Sequence, residues 1–298
     1  MKDKMLRLGP QEAPVWGSHQ FGYRYSKEAP GFSAQIFIDL INNRIKVVRY
    51  QVEDFEDFCR YLQFVAGEND LTKILLTAGE KDWKGFFLRG YLLEALNPSY
   101  FAGQPAYHLS RFLSGERRNS SRWDEEERVL AAARQSSTQT EPLSEDYAIR
   151  MADESDISGL SSLFASVFST YPVPVSDPDY LVKAMKNGSI FKIAVHEDKI
   201  ISAASLEPQG TGTLSVELTD CATLPEHRGQ GLMSHLVKEL ENDAARQGLI
   251  TVFTIARAAS AGISAVFAKQ QYQYGGRFVN NCDICGSFED MNLWSKRL

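Results

Sequence analysis

The chain has 298 residues, of which 43% are hydrophobic, and a formal net charge of −6. This acidic balance argues against nucleic acid or an anionic membrane as a partner and suits a small cationic one. Four cysteines do not make a disulfide framework in a chain of this length. The sequence contains no signal-like or membrane-spanning apolar run, so we expect a cytoplasmic protein with one large or two modest domains.

The first third of the chain alternates strand and helix signals. Residues 1–32 contain three prolines and predict an irregular lead-in. Beyond them we expect a hairpin that turns at Asn42-Asn43-Arg44, and a helix capped by Asp54. The predicted elements are strands 36–41 and 45–50, helix 55–66, strand 73–77, a short helix near 92–96 and a strand near 106–112. Together they indicate a small α/β domain at the N-terminus.

A charged stretch and a polar linker follow. Residues 115–134 predict a solvated helix whose cap is Asn119 or Ser120. The next segment, QSSTQTEP, has no apolar side chain and is typical of a linker. We therefore expect an N-terminal domain at 1–134, a linker at 135–146 and a second domain at 147–298.

The second domain also predicts an α/β fold with a mixed sheet. The run after Phe86-Phe87 faintly resembles the region from Phe267 to Tyr272, which hints that the first domain is a degenerate copy of the second. The predicted elements are strand 147–151, helices 156–168 and 178–187, strands 190–196, 200–207 and 214–223, helix 232–247, strand 249–256, helix 260–270 and strands near 276–284 and 287–295.

The stretch LSVELTDCATLPEHRGQG, at residues 214–231, is the one around which the second domain is organised. Its first half alternates apolar and polar residues like a strand, Pro225 ends the strand, and RGQG forms a tight turn into a helix. Free N–H groups at a helix start bind anions, and glycine lets a diphosphate come close to the backbone. Alone, however, so short a pattern is more typical of an ordinary strand–turn–helix corner.

The same stretch resembles the acetyl-CoA signature of the GNAT N-acetyltransferase superfamily, which is Arg/Gln-x-x-Gly-x-Gly/Ala after a splayed strand. Arg228, Gly231 and Met233 occupy these positions, so methionine replaces the final small residue. The resemblance implies a GNAT fold, acetyl transfer from acetyl-CoA to an amine, and no metal. It also implies that the cosubstrate lies against Cys221, Ala222, Thr223, Arg228, Gly229, Gln230, Gly231, Leu232 and Met233.

A narrower resemblance covers the chain from about residue 34 to its end. TDCATLPEHRGQGLM, FSTYPVP and MNLWSK, together with FIDLINNRIKVVRY and GYLLEALNPSYFAGQPAYHLSRF in the first domain, resemble the β-lysine N6-acetyltransferases. Membership would imply acetylation of the distal amine of β-lysine to give a compatible solute. It would also imply a lysine 2,3-aminomutase that supplies the β-lysine.

The chemistry of amine acetylation points to a base on the signature strand. An alkylammonium with a pKa near 10 must lose a proton before it attacks a thioester. Glu217 is the best-placed base, although it could instead only pair with the substrate ammonium. Asp220 is the alternative, but strand alternation predicts that it faces the opposite side. At Cys221 we expect the backbone N–H to polarise the thioester carbonyl, and we disfavour a nucleophilic thiol because no histidine partner is nearby.

The group that protonates the leaving thiolate is left open. GNAT enzymes often use a tyrosine on the last helix, and by spacing that position is Phe267, which cannot donate a proton. Tyr272, Tyr274 or water are the alternatives. Ser260 likewise stands where many relatives have an asparagine against the cosubstrate.

Acceptor binding and the remaining motifs give further expectations. Tyr171 lies in a proline-rich loop where GNAT folds wall the acceptor pocket, although such a loop is equally typical of a plain surface turn. Glu217 and Asp220 would bind ammonium groups, and Arg257 or Arg277 the carboxylate. The other motifs have ordinary structural explanations: a Cys282-x-x-Cys285 pair is read as structural rather than zinc-binding or redox-active, and His227 as an exposed loop residue.

Two alternatives to the β-lysine assignment remain. One is acetylation of another amine, such as a polyamine, another diamino acid or a protein lysine. The other is a GNAT module that binds CoA without turnover. We expect neither nucleic acid nor membrane as a partner, and the oligomeric state is open, with a homodimer as one option.

Overall fold

The computed structural model describes residues 3–18, 22–136, 141–210 and 213–298. Its first half is a succession of strands with two helices between them. The elements are β1 (Lys4–Leu6), β2 (Val15–Gly17), β3 (Tyr23–Ala29), β4 (Phe32–Asp39), β5 (Arg44–Val52), α1 (Phe55–Glu68), β6 (Lys73–Ala78), α2 (Trp83–Phe87), β7 (Leu92–Phe101) and β8 (Gln104–Phe112).

Two helices lead from this half into the second. The remaining elements are α3 (Gly115–Arg118), α4 (Trp123–Arg134), β9 (Ala148–Met151), α5 (Ile157–Val167), α6 (Pro178–Lys186), β10 (Ile190–His196), β11 (Lys199–Pro208), β12 (Ser215–Thr223), α7 (Leu232–Arg246), β13 (Thr251–Arg257), α8 (Ala261–Lys269), β14 (Gln273–Ile284) and β15 (Ser287–Arg297). In the described part of the chain, no helix has both the length and the apolar composition needed to cross a bilayer.

One mixed sheet runs through both halves. Among the described residues it has thirteen strands in the order β3-β4-β5-β6-β8-β7-β14-β15-β13-β12-β11-β10-β9. The α/β class with a mixed sheet is therefore confirmed. The division into domains at 135–146 stays a prediction, and residues 137–140 of that linker lie outside the described residues.

The first half repeats the strand order of the second. β3-β4-β5-β6-β8-β7 and β10-β11-β12-β13-β15-β14 have the same succession of antiparallel pairs with one parallel pair, β5 with β6 and β12 with β13. Each parallel pair has three residue pairs. The degenerate second copy hinted at by Phe86-Phe87 and Phe267 is thus visible as a repeated topology, with α1 and α7 as equivalent crossover helices.

The last hairpin of each half, β7–β8 in the first and β14–β15 in the second, contacts the parallel strand pair of the other half. The Ser215 Oγ donates to the Tyr100 carbonyl at 2.6 Å, and the Ser99 hydroxyl lies 2.8 Å from that of Thr251, so β7 reaches the start of β12 and β13. In the equivalent contact on the other side, Lys73 donates to the Val279 carbonyl at 2.9 Å, so β14 of the second half reaches β6 of the first. The halves are therefore interlocked rather than merely adjacent.

Several predicted elements differ from those observed. The lead-in at 1–32 contains β1, β2 and β3, because β3 completes an antiparallel edge along β4. The helix expected near 92–96 is wrong: those residues belong to β7, which pairs with β8, and the helix lies earlier, at Trp83–Phe87. Neither expected cap is used, since the 115–134 segment breaks into α3, capped by Ser114, and α4, which has no side-chain cap.

The core follows the two halves, except that a third cluster joins Ala95 of β7 to β13, β14 and β15, and that α4 packs with the second half. The first half encloses one buried cluster beneath α1, and the second encloses another beneath α5 and α7. Leu130 and Ala133 of α4 belong to the second cluster. Helix α4, which the predicted boundary assigned to the first domain, therefore packs against the second half.

Candidate active site

The signature strand and its neighbour separate to leave a cleft. β12 pairs with β13 only from Ser215 to Glu217 and then diverges from it. Beyond that point, within the described residues, Leu218–Thr223 has no ladder partner on the β13 side. Backbone N–H and C=O groups on that edge are thus available to a ligand.

The turn from β12 into α7 has the features of an anion cradle. Gly231 is the N-cap, with φ of 73°, and no side chain caps the helix. Gly229 also has a left-handed φ, 81°, and a Cβ added there would have nothing within 4 Å. The first N–H groups of α7 are therefore left without a side-chain cap at the positive end of the helix dipole. Met233, at the position where GNAT enzymes have a small residue, packs against the core.

Acidic side chains gather at the cleft where β12 meets β11. Glu217 is the direct cross-strand partner of Glu207, and cross-strand partners share a face of the sheet. The Gln209 amide donates to Glu217 at 3.3 Å, and the Ser205 hydroxyl donates to Asp220 at 2.7 Å. Like charges placed directly opposite one another are unfavourable, so this arrangement favours a cation between them.

Asp220 corrects a prediction made from alternation. It has φ of 54° and sits at a bulge, where the register of β11 and β12 shifts between Ala203 and Ser205. Its partner Ser205 lies opposite Thr219, on the face of Glu217. The extra residue of the bulge therefore returns Asp220 to the same face as Glu217.

The pKa values of both carboxyls are raised. Burial, followed by the charge of Glu207, raises the pKa of Glu217 to about 8. Burial also raises the pKa of Asp220 to about 7, against hydrogen bonds from Ser205 and Tyr171 that lower it. A carboxyl with a pKa near the working pH is suited to taking up and releasing a proton.

Tyrosines wall this acidic pocket. Tyr171 is half-buried beside Asp220, so the structure brings it together with the two carboxyls as the sequence predicted. Tyr180 of α6 also lies at the pocket, although it was not predicted from the sequence. Burial, followed by the charges of the three pocket carboxylates, raises its pKa. Burial and Glu217 likewise raise the pKa of Tyr100 on β7 to about 12. A PDYLV helix and an NPSYF strand carry no local signal of a site, so only the tertiary fold reveals these two.

Cys221 has an unreactive thiol. Burial and the neighbouring Asp220 raise its pKa, whereas a nucleophilic cysteine needs a lowered one. The residue follows the bulge on the part of β12 that diverges from β13. Its backbone, rather than its sulfur, is the group suited to a ligand in the cleft.

The tyrosines considered as proton donors lie in packed surroundings. Tyr272 is 5% exposed, its ring lies 5.1 Å from that of Phe267, and burial followed by Glu241 raises its pKa. The Arg134 guanidinium lies over the Tyr274 ring, which meets the Trp294 ring edge to face. Neither is among the groups that shift the pKa of Glu217 or Asp220, although Tyr272 lies within electrostatic reach of Cys221.

The two arginines expected to bind a carboxylate already have acidic partners. Arg257 pairs with Glu289 at 2.9 Å, and the buried Arg277 pairs with Glu126 at 3.4 Å and with Glu127 at 3.1 Å. The structure does not bring either of them to Glu217.

The cysteine pair does not form a site. Cys282 is buried on β14, where Arg44 donates to its sulfur at 3.5 Å, while Cys285 is exposed in the following turn. In residues 3–18, 22–136, 141–210 and 213–298, no group of His, Cys, Asp and Glu side chains could hold a metal ion. His227 is half-buried and lies 3.3 Å from the Tyr147 hydroxyl, outside the acidic pocket.

Comparisons with known proteins identify the family. Residues 160–268 match the model of the acetyltransferase (GNAT) family. The chain is 36% identical to the N-acetyltransferase YodP of Bacillus subtilis, over 92% of this chain and 99% of the relative. It is 32% identical to a β-lysine N(6)-acetyltransferase of Methanococcus maripaludis, over 88% of this chain and 95% of the relative. A solved ribosomal-protein-alanine N-acetyltransferase of Brucella melitensis superposes on 51% of this chain and 99% of its own, with 20% identity and a TM-score of 0.45.

Proposed function

We propose that this enzyme acetylates the distal amine of β-lysine, because the chain belongs to the family of the β-lysine N6-acetyltransferases within the GNAT acetyltransferases. It is an acetyl-CoA-dependent N-acetyltransferase, and a β-lysine N(6)-acetyltransferase is 32% identical to it over 88% of this chain. The observation that carries the choice of acceptor is the acidic pocket at Glu217. In this proposal the product, N6-acetyl-β-lysine, has a neutral distal end and serves as a compatible solute.

The pocket suits a small acceptor with two ammonium groups. Glu207, Glu217 and Asp220 supply three carboxyls on one face of β11 and β12. Tyr171 and Tyr180 supply aromatic surface for the alkyl chain and for a cation. The hairpin of the first half covers the base of the cleft, where the Tyr100 ring packs 5.4 Å from that of Phe253. A pocket closed at its base favours a small free amine over a lysine on a protein surface.

Glu217 is the proposed base. Its raised pKa means that it takes a proton from an ammonium more readily than an ordinary carboxylate would. The attacking amine becomes neutral when this proton moves to Glu217, directly or through a water molecule. Asp220 and Glu207 keep the remaining ammonium in place, and they also maintain the negative field that raises the pKa of the base.

The donor side uses the turn and the diverging strand edge. Acetyl-CoA supplies the activated acetyl group as a thioester. We propose that the N–H groups of Gly229–Met233 hold its diphosphate, while Arg228 adds a positive charge at the same turn. The Cys221 N–H is proposed to stabilise the negative charge that develops on the acetyl oxygen. Since Tyr272 lies beside Glu241 in the core, water is the better candidate for protonating the thiolate.

A steady-state panel tests the acceptor. We expect kcat/KM for β-lysine to exceed that for α-lysine, spermidine and a lysine peptide by about three decades or more, since a polar pocket leaves groups unpaired with the wrong isomer. Product NMR should locate the acetyl group on the distal nitrogen. Equal turnover of spermidine, or acetylation of the β-amine, would reduce the assignment to an amine acetyltransferase of another substrate. Binding of acetyl-CoA without turnover of any acceptor would indicate a non-catalytic module.

A further inference from the structure

We propose that Lys46, on β5 of the first half, binds the carboxylate of the acceptor and so makes the enzyme selective for an amino acid over a simple diamine. This inference rests on the proposed function, because it completes the acceptor pocket with a residue from the half that lacks the acetyl-CoA signature.

Lys46 and Glu217 occupy equivalent positions. In the first half, the parallel pair of β5 and β6 starts with Arg44 beside Lys73, and its last paired residue on β5 is Lys46. In the second half, the parallel pair of β12 and β13 starts with Ser215 beside Thr251, and its last paired residue on β12 is Glu217. Each is thus the last paired residue before its strand diverges. The neighbouring antiparallel strands differ as well, since Phe37 faces Lys46 where Glu207 faces Glu217.

The Lys46 face of β5 is turned towards the pocket. Lys46 and Arg49 pair with Phe37 and Gln35, which are two residues apart on β4, so both basic side chains lie on one face. The Arg49 guanidinium nitrogen lies 3.4 Å from the point that a Cβ on Gly210 would occupy. Gly210 directly follows Gln209, whose amide donates to Glu217.

The electrostatics of Glu217 are consistent with this placement. Burial and the charge of Glu207 raise the pKa of Glu217, and the positive charge of Lys46 acts against both, so the ammonium lies within electrostatic reach of the base. Lys46 is exposed, and among the described residues no carboxylate lies within ion-pair distance of it. By contrast, Arg44 is buried and pairs with Asp39 at 2.9 Å.

The acceptor needs such a cation. β-Lysine has two ammonium groups and one carboxylate, and the pocket on β11 and β12 offers only negative charge. Arg257 and Arg277 are committed to Glu289 and Glu126. Lys46 therefore supplies the missing charge, from the opposite side of the pocket.

The test compares Lys46→Met with the wild type on two acceptors: β-lysine, and β-lysine carboxamide, in which a neutral amide replaces the carboxylate. We expect Lys46→Met to raise KM for β-lysine about ten- to a hundredfold with kcat nearly unchanged, since a charge-assisted contact is lost from binding. KM for the carboxamide should be the same in both enzymes. Lys46→Arg should restore most of the affinity for the acid. Lys81→Met, which removes an exposed charge elsewhere in the first half, is the matched control and should change nothing.

Each outcome separates this inference from the proposed function. Equal losses for the acid and the carboxamide, or an unchanged KM for the acid, would overturn the role of Lys46 while leaving β-lysine as the acceptor. A wild-type enzyme that turns over neither compound but acetylates another amine would overturn the proposed function, and the inference with it.

Discussion

The two halves share a strand order but differ at the helix that follows each parallel strand. In the first half the Asp54 carboxylate accepts from the N–H groups of Glu56 and Asp57, at 2.9 and 3.0 Å, and so fills the start of α1. In the second half Gly231 leaves the start of α7 without a side-chain cap. A carboxylate already occupies the first site, and the acidic first turn of α1 adds repulsion. Of these two equivalent helix starts, only that of α7 is open to a diphosphate.

The largest effect should come from making the second half resemble the first. Gly231→Asp places a carboxylate at the start of α7, and we expect affinity for acetyl-CoA to fall by roughly a hundredfold or more through repulsion. Calorimetry measures it, with circular dichroism as the check on folding. Gly231→Asn is the control, because it has the same shape without the charge and also tolerates a left-handed φ. Near-normal affinity in folded Gly231→Asp would remove the turn from the cosubstrate site.

The next largest effect should come from Glu217, whose equivalent in the first half is the oppositely charged Lys46. Glu217→Gln should lower kcat by roughly two to four decades at neutral pH, because the amide cannot accept the ammonium proton. Glu145→Gln, an exposed carboxylate outside the pocket, is the control.

The pH profile sharpens this prediction. An acid whose pKa is raised to about 8 is protonated below that pH, so wild-type kcat/KM should rise through about 8 as Glu217 becomes able to accept a proton. The mutant should lack the inflection near 8 and should rise continuously as free amine accumulates, so that its deficit shrinks above that pH. A deficit that is independent of pH would demote Glu217 to a binding residue.

The smallest effect should come from removing the side chain that caps α1 in the first half. Asp54→Ala removes the cap of α1 and should lower the free energy of unfolding by about 1 kcal/mol. Affinity for acetyl-CoA should not change, because the phosphate turn belongs to α7. Urea denaturation and calorimetry measure the two quantities, and Asp54→Ser, which keeps a capping oxygen, is the control. A weaker affinity for acetyl-CoA in Asp54→Ala would mean that α1 contributes to the cosubstrate site after all.

The sequence was most informative where the physics is local. The strand, the glycine turn and α7 follow from residues within 35 positions of one another in the chain, and Glu217 could be assigned to the signature strand for the same reason. Asp220 was assigned to the wrong face because a bulge depends on the pairing of two strands, which alternation in one strand does not reveal.

Long-range pairing accounts for the other differences. Residues 92–96, at the start of β7, were predicted as a helix because their extended form depends on β8 and on Gly276 of β14. Tyr100 approaches Glu217 because the β7–β8 hairpin reaches across to β12 and β13. Lys46 lies on β5 of the first half, and its charge acts on Glu217 of the second. Neither segment alone carries a signal of these contacts.

The equivalence of Lys46 and Glu217 has a consequence for symmetry. In a dimer of identical subunits, the residue at a given position is the same in both copies, so two matching positions that face each other must carry the same charge. A single chain that contains both copies is free of this restriction. One copy can keep the acid and the phosphate turn, while the other changes the acid to a base and fills its own turn. Because the two copies are joined in one chain, a single acceptor site can offer a carboxylate to the ammonium of a zwitterion and an ammonium to its carboxylate. In a homodimer the two equivalent positions would carry the same group.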